Sequence, residues 1–182
     1  MFNYVHCLLV LQYFILITVV VTQNNTDVAT RTSASNCTSK CKGTDCHSNC
    51  TGTMSSASAI GFNATAITIG ELSTVECYGP FCKAACDGIM NVCMAKCLGR
   101  TCEALCRSAS CLTFALGTVS TSSCLGHRCF ANCTGDACIS LCEGTGCKAE
   151  CHAKRCRSHC AGVACTSECF GRFCSFNNIS WA

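Results

Sequence analysis

Residues 124–174 read CLGHRCFANCTGDACISLCEGTGCKAECHAKRCRSHCAGVACTSECFGRFC. Twelve cysteines occur in this stretch, and the gaps between them alternate without exception: four residues, then three, then four. The repeating unit is nine residues long, C-x-G-x-x-C-x-[AS]-x. Two small-residue rules run through all the cysteine blocks. The middle of every three-residue gap is Ala or Ser: Ser39, Ser48, Ala84, Ala95, Ala104, Ala131, Ser140, Ala149, Ser158 and Ser167. The second position of the four-residue gaps is Gly, except at Ser108 and Ala153.

A fixed period with irregular ends is the mark of a repeat architecture whose units pack on their neighbours. As a strand, C-x-[AS]-x-C points both cysteines and the small residue to one side and the variable residues to the other. The four-residue gap then supplies the reversal, with Gly free to adopt positive φ. Nine extended residues span only about 30 Å, so a coil of that contour encloses no conventional hydrophobic core. Disulfides replace it, because bridged Cα atoms sit roughly 4.4–6.8 Å apart. The expected fold is a thin disulfide-stapled solenoid of nine-residue units. The alternative is short helical turns stapled by disulfides, because C-x3-C also spaces two cysteines one helical turn apart.

Outward from this block the chain divides by cysteine content. Residues 1–22 hold an apolar run of about 15 residues, shorter than the ~20 of a spanning helix. They read as a secretory signal peptide, with the mature chain starting near Gln23 and no membrane span after cleavage. The rival is an uncleaved signal anchor. Residues 23–36 form a polar leader without period, expected to be disordered. Residues 37–50 are a first cysteine block, and 51–76 a Ser/Thr/Ala-rich linker or irregular insertion. Residues 77–111 are a second block, 112–123 a spacer, 124–174 the main repeat block and 175–182 a tail whose Phe176 and Trp181 could cap the last unit.

The chain has 182 residues and 25 cysteines; loss of Cys7 with the signal leaves 24, an even set that an oxidising compartment can pair completely. The expected half-cystines are Cys37, Cys41, Cys46 and Cys50 in the first block. Cys77, Cys82, Cys86, Cys93, Cys97, Cys102, Cys106 and Cys111 follow in the second. The third holds Cys124, Cys129, Cys133, Cys138, Cys142, Cys147, Cys151, Cys156, Cys160, Cys165, Cys169 and Cys174. Connectivity is open, since no spacing rule selects one partner. Six N-x-S/T sequons, at Asn24, Asn36, Asn49, Asn63, Asn132 and Asn178, agree with a secretory route.

Function is far less legible. A net charge of +3 with 13% charged residues is too mild to imply nucleic acid. No phosphate loop, nucleophile elbow or paired carboxylate motif occurs, so no enzyme, catalytic residue or cofactor is expected. Metal chelation is not expected either, because C-x2-C pairs are missing and secreted thiols oxidise. The segment HAKRCRSH at 152–159 offers Lys154, Arg155 and Arg157 to an anionic glycan or lipid headgroup, or is a solvated face beside Glu143, Glu150 and Glu168.

The turns Cys97-Leu-Gly-Arg-Thr-Cys102, Cys124-Leu-Gly-His-Arg-Cys129, Cys133-Thr-Gly-Asp-Ala-Cys138 and Cys169-Phe-Gly-Arg-Phe-Cys174 resemble the coil of midge antifreeze proteins. The resemblance implies a thin solenoid and, on its flat face, ice binding through a tyrosine row. The matching position here holds Asp45, Phe81, Thr101, Ser110, Arg128, Ala137, Gly146, Arg155, Ala164 and Phe173, with no such row. The function expected from the whole sequence is a secreted, glycosylated repeat protein with a structural or protective extracellular role. The alternative is an extracellular binding or effector module whose partner, matrix or receptor, the sequence does not name.

Overall fold

The computed structural model describes residues 19–24, 30–33, 35–88 and 92–180. The chain winds into a β-solenoid in which every strand pairs in parallel with the strand one turn away. Among the described residues there is no helix, so the helical alternative falls. The burial pattern gives the reason: in Val92–Leu98 the alternate residues Cys93, Ala95 and Cys97 are buried, a period of two that a helical turn does not produce.

One turn is two nine-residue units. Cys37 lies beside Ser55, and Cys93 beside Cys111, an offset of 18 residues. Strands β1 (Val19–Asn24), β3 (Asn36–Lys42), β5 (Met54–Ile60), β7 (Leu72–Tyr78) and β9 (Val92–Leu98) build the first face. Strands β2 (Thr30–Ser33), β4 (His47–Thr51), β6 (Thr65–Ile69), β8 (Cys82–Asp87) and β10 (Thr101–Arg107) build the second. Then β11 (Ser110–Leu125), β12 (Phe130–Glu143) and β13 (Lys148–Ala161) run through both faces around one edge. The last turn is β14 (Thr166–Phe170) on the first face and β15 (Phe173–Ile179) on the second.

The inward side chains stack in columns. Cysteine, alanine and serine fill nearly all of them, and Val75 is the largest side chain buried below 2% exposure. The middle-gap residues face one another across the coil: Ser48 Oγ donates to Ser39 Oγ at 2.9 Å, Ser140 Oγ to the Ala131 carbonyl at 2.7 Å and Ser158 Oγ to the Ala149 carbonyl at 2.9 Å. Each partner is nine residues away, so the small-residue rule is the rule of the solenoid's inner wall.

Both edges carry a glycine file. A Cβ at Gly61 would lie 1.8 Å from the Gly43 carbonyl oxygen, and one at Gly144 1.8 Å from that of Gly126. These turns also hydrogen-bond from coil to coil, as Gly61 N does to Tyr78 O at 2.9 Å. The backbone ladder therefore continues around the corners, which leaves few polar groups unmatched in a wall too thin to shelter them.

Three readings of domain organisation need correction. Residues 51–76, expected as a linker, are a full turn of solenoid containing β5 and β6 and entering β7. Residues 112–123, expected as a spacer, lie inside β11. Here Ser55, Ala59, Ala64 and Thr68 stand in register with Cys37, Cys41, Cys46 and Cys50, so small residues replace the sulfur without breaking the coil. The leader expected to be disordered contributes β2 and the start of β3. The two extra residues of Cys86–Cys93 shift the register once, from 18 to 20 between Ser73 and Cys93, and the next turn returns to 18.

The expected signal segment lies mostly outside the described residues, although Val19–Asn24 pairs with β3. Trp181 also lies outside them. Phe176 occupies the inward column next to Ser158 but is 66% exposed, so it does not close the end of the stack.

Candidate functional site

The solenoid offers two kinds of chemistry: sulfur inside and two flat outward faces. Inside, the cysteines form a file along each edge. At the edge that turns through Gly43, Gly79 and Gly99, bridges close within a coil: Cys41–Cys46, Cys77–Cys82, Cys97–Cys102, Cys133–Cys138, Cys151–Cys156 and Cys169–Cys174. At the opposite edge, Cys86–Cys93, Cys106–Cys111 and Cys160–Cys165 join one coil to the next. Cys37–Cys50 differs, crossing a single coil at a separation of 13. Cys50 has no cysteine five residues on, where Ser55 stands, so it turns back to Cys37.

Twenty of the 24 expected half-cystines are thus bridged. Cys124, Cys129, Cys142 and Cys147 are not: the structure holds them as four buried thiols. They are consecutive in the second file. Cys124 stacks on Cys106 below and Cys142 above, and Cys142 on Cys160. The sulfurs of Cys129, Cys142 and Cys147 lie within 4.8 Å of one another. Burial raises the pKa of the Cys124 thiol. Hydrogen bonding to Cys124 raises that of Cys142, and Cys147 is pushed up to about 11 chiefly by its hydrogen bond to Cys129. Cys129 moves the other way, lowered chiefly by its hydrogen bonding with Cys124 and then with Cys142 and Cys147, and by nearby His127.

Outside, the first face is apolar in its middle turns. Met54, Leu72 and Val92 stack at 51%, 52% and 45% exposure, with Ile60 farther along β5 and Leu116 on neighbouring β11. Phe114 and Phe130 meet at 6.0 Å between ring centres. Towards the end of the solenoid the face becomes charged: Lys148 Nζ lies 2.6 Å from Glu150 and 3.3 Å from Glu168.

The basic segment 152–159 does not form one patch. His152 stacks on Phe170 on the first face at 4.5 Å, and Lys154 pairs with Asp136 at 3.1 Å. Arg155 and Arg157 turn to the second face, where they line an open depression of about 500 Å³ with Val119, Ile139 and Phe173. The strand alternation and the coil corner divide the cluster between faces, which linear proximity in the sequence conceals.

The positions that correspond to the tyrosine row are divided too. Asp45 and Phe81 lie at one edge, and Arg128, Gly146 and Ala164 at the other, all in left-handed conformation with φ between 52° and 66°. They are corner residues rather than members of one flat face.

The six sequons differ in access. Asn63 is an exposed corner residue with φ 54°, its amide donating to Asp45 at 2.5 Å. Asn178 is exposed on β15. Asn36 and Asn49 are half-buried in strands, and Asn132 donates to Glu150 at 3.2 Å. Asn24 lies in β1. Among the described residues, no helix is long and apolar enough to cross a membrane.

No family model matches this chain, and neither does any curated protein or solved structure. Its function therefore has to be argued from the solenoid itself.

Proposed function

We propose that the protein is a secreted, glycosylated, disulfide-stapled rod with a structural or protective extracellular role. The observation that supports this reading is the interior: ten disulfides in a wall of Cys, Ala and Ser, where a cytosolic protein of this size would bury large aliphatics. The role is non-catalytic. It consists of holding outward side chains on a fixed lattice, one row every 18 residues, while closed turns resist proteases. Asn63 and Asn178 carry the glycans, because their side chains reach solvent.

The test is expression of the full chain in secreting eukaryotic cells. Recovery from the medium as a glycosylated, protease-resistant protein that becomes sensitive after reduction supports the proposal. Retention as a reduced, unglycosylated cytosolic protein overturns it.

A second reading is an extracellular binding module, favoured by the exposed Met54, Leu72 and Val92 column. Saturable binding of the soluble protein to cell surfaces, lost in Leu72→Lys, would select it. Incorporation into an insoluble matrix would select the structural role.

A further inference from the structure

The thiols of Cys124, Cys129, Cys142 and Cys147 interrupt a file that is bridged on both sides. We propose that they close as two further cystines, Cys124–Cys129 and Cys142–Cys147, in the five-residue register of the flanking rungs Cys106–Cys111 and Cys160–Cys165.

The backbone carries the proposal. The bridged turn Cys160–Cys165 has Gly162 at φ 138° and Ala164 at φ 52°, with its Cα atoms 5.7 Å apart. The open turn 124–129 repeats this shape with Gly126 at 148° and Arg128 at 52°. The turn 142–147 repeats it again, with Gly144 at 136° and Gly146 at 66°. Both belong to the same stacked column, through Cys106, Cys124, Cys142 and Cys160. Each thiol pair therefore already stands on a backbone that accommodates a bridge.

Two competing arrangements fit less well. Cys129–Cys142 would use the 13-residue separation of Cys37–Cys50, but it would strand Cys124 and Cys147 as buried single thiols. A thiolate-bound metal ion would draw on the proximity of Cys129, Cys142 and Cys147. The same proximity recurs at Cys86, Cys93 and Cys106, where Cys86 and Cys93 are bridged, so it reflects the rung spacing rather than a site. A tetrahedral site needs four ligands around a point, whereas these sulfurs run along a file.

The chemistry balances with an external disulfide, such as glutathione disulfide, as oxidant. Cys129 gives up its proton to solvent and attacks it as thiolate, forming a mixed disulfide and releasing one thiolate. Cys124 gives up its proton and displaces the second thiolate from Cys129, so two electrons leave the pair and the oxidant departs as two thiols. The second pair follows the same course. The gain is local: Ala115 and Ser120 occupy the opposite edge of that turn, so with Cys124–Cys129 open no bridge anchors any residue from 112 to 132.

Arg128 lies between the first pair and Glu143 between the second, which makes the test direct. The full chain from secreting cells is alkylated without reduction, denatured and cut with trypsin and a Glu-specific protease. The expected result is that the fragment ending at Arg128 stays attached to the one beginning at Cys129 until a reductant is added, and likewise across Glu143. A protein isolated with these thiols open should acquire the same two links in glutathione disulfide. A Cys129–Cys142 link, four thiols that stay alkylatable after that treatment, or thiols protected by a co-purifying zinc or copper ion would each overturn the proposal.

Discussion

Ala115→Cys combined with Ser120→Cys should install a further bridge at the cysteine-free turn 115–120. Ala115 lies between Cys97 and Cys133, and Ser120 between Cys102 and Cys138. Both flanking turns are bridged with Cα separations of 5.7 Å. The new pair closes a loop of six residues, for which chain entropy gives about 2 kcal/mol. Ser120 Oγ is buried without a hydrogen-bond partner, and removing such a hydroxyl adds about 1 kcal/mol. The oxidised double variant should therefore be about 3 kcal/mol more stable than the parent in guanidinium unfolding at equal protein concentration. Intact mass should fall by two further hydrogens. A variant that forms the bridge without gaining stability would refute the stacking argument, and one that leaves both thiols open would refute the register itself.

Other substitutions probe separate parts of the wall. Gly144→Ala places a Cβ 1.8 Å from the Gly126 carbonyl at φ 136° and should cost more than about 4 kcal/mol, whereas Gly146→Ala, with nothing within 4 Å at φ 66°, should cost about 1 kcal/mol; thermal unfolding of the two separates close approach from left-handed strain. Ala149→Leu overfills a fully buried column opposite Ser158 and should cost about 1–3 kcal/mol or more, read as faster proteolysis of the secreted protein. Glu150 is held below its ordinary value of 4.5, chiefly by its hydrogen bond from Lys148. Its contribution is therefore present above that pH and lost as acid protonates it in the fold, so Glu150→Gln should lower stability at neutral pH, barely change it in acid, and so flatten the acid side of the stability–pH curve. Asn63→Gln and Asn178→Gln should each remove one glycan from the secreted form, seen as a stepwise mobility change.

The sequence makes the inner wall legible because its constraint is local. A strand alternates, a coil this thin excludes bulk, and Ala149 or Ser158 must therefore be small. The full extent of the solenoid was hidden by reliance on sulfur. Residues 51–76 contain no cysteine, yet Gly43, Gly52, Gly61, Gly70 and Gly79 keep the nine-residue period straight through them. Glycine, fixed by backbone contact between coils, was the signal that could have found this turn. Pairing was not legible, because an interior sulfur such as Cys142 has neighbours in both directions along its file. Only the coil geometry distinguishes a five-residue bridge from a 13-residue one. The division of 152–159 between faces was hidden for a related reason: alternation and a corner send neighbouring residues to different sides.

The five-residue bridges have a mechanical meaning. Each encloses the four residues of its own turn, as at Cys97–Cys102 and Cys133–Cys138. If the rod is pulled from its ends, the hydrogen bonds between coils can peel apart, but the enclosed residues cannot pay out as slack. The chain would lengthen only through the segments between loops, the longest of them residues 51–76, and the coils could re-form in register on release. Reduction would add the hidden length back and turn a stiff, recoiling tether into an ordinary unfolded chain.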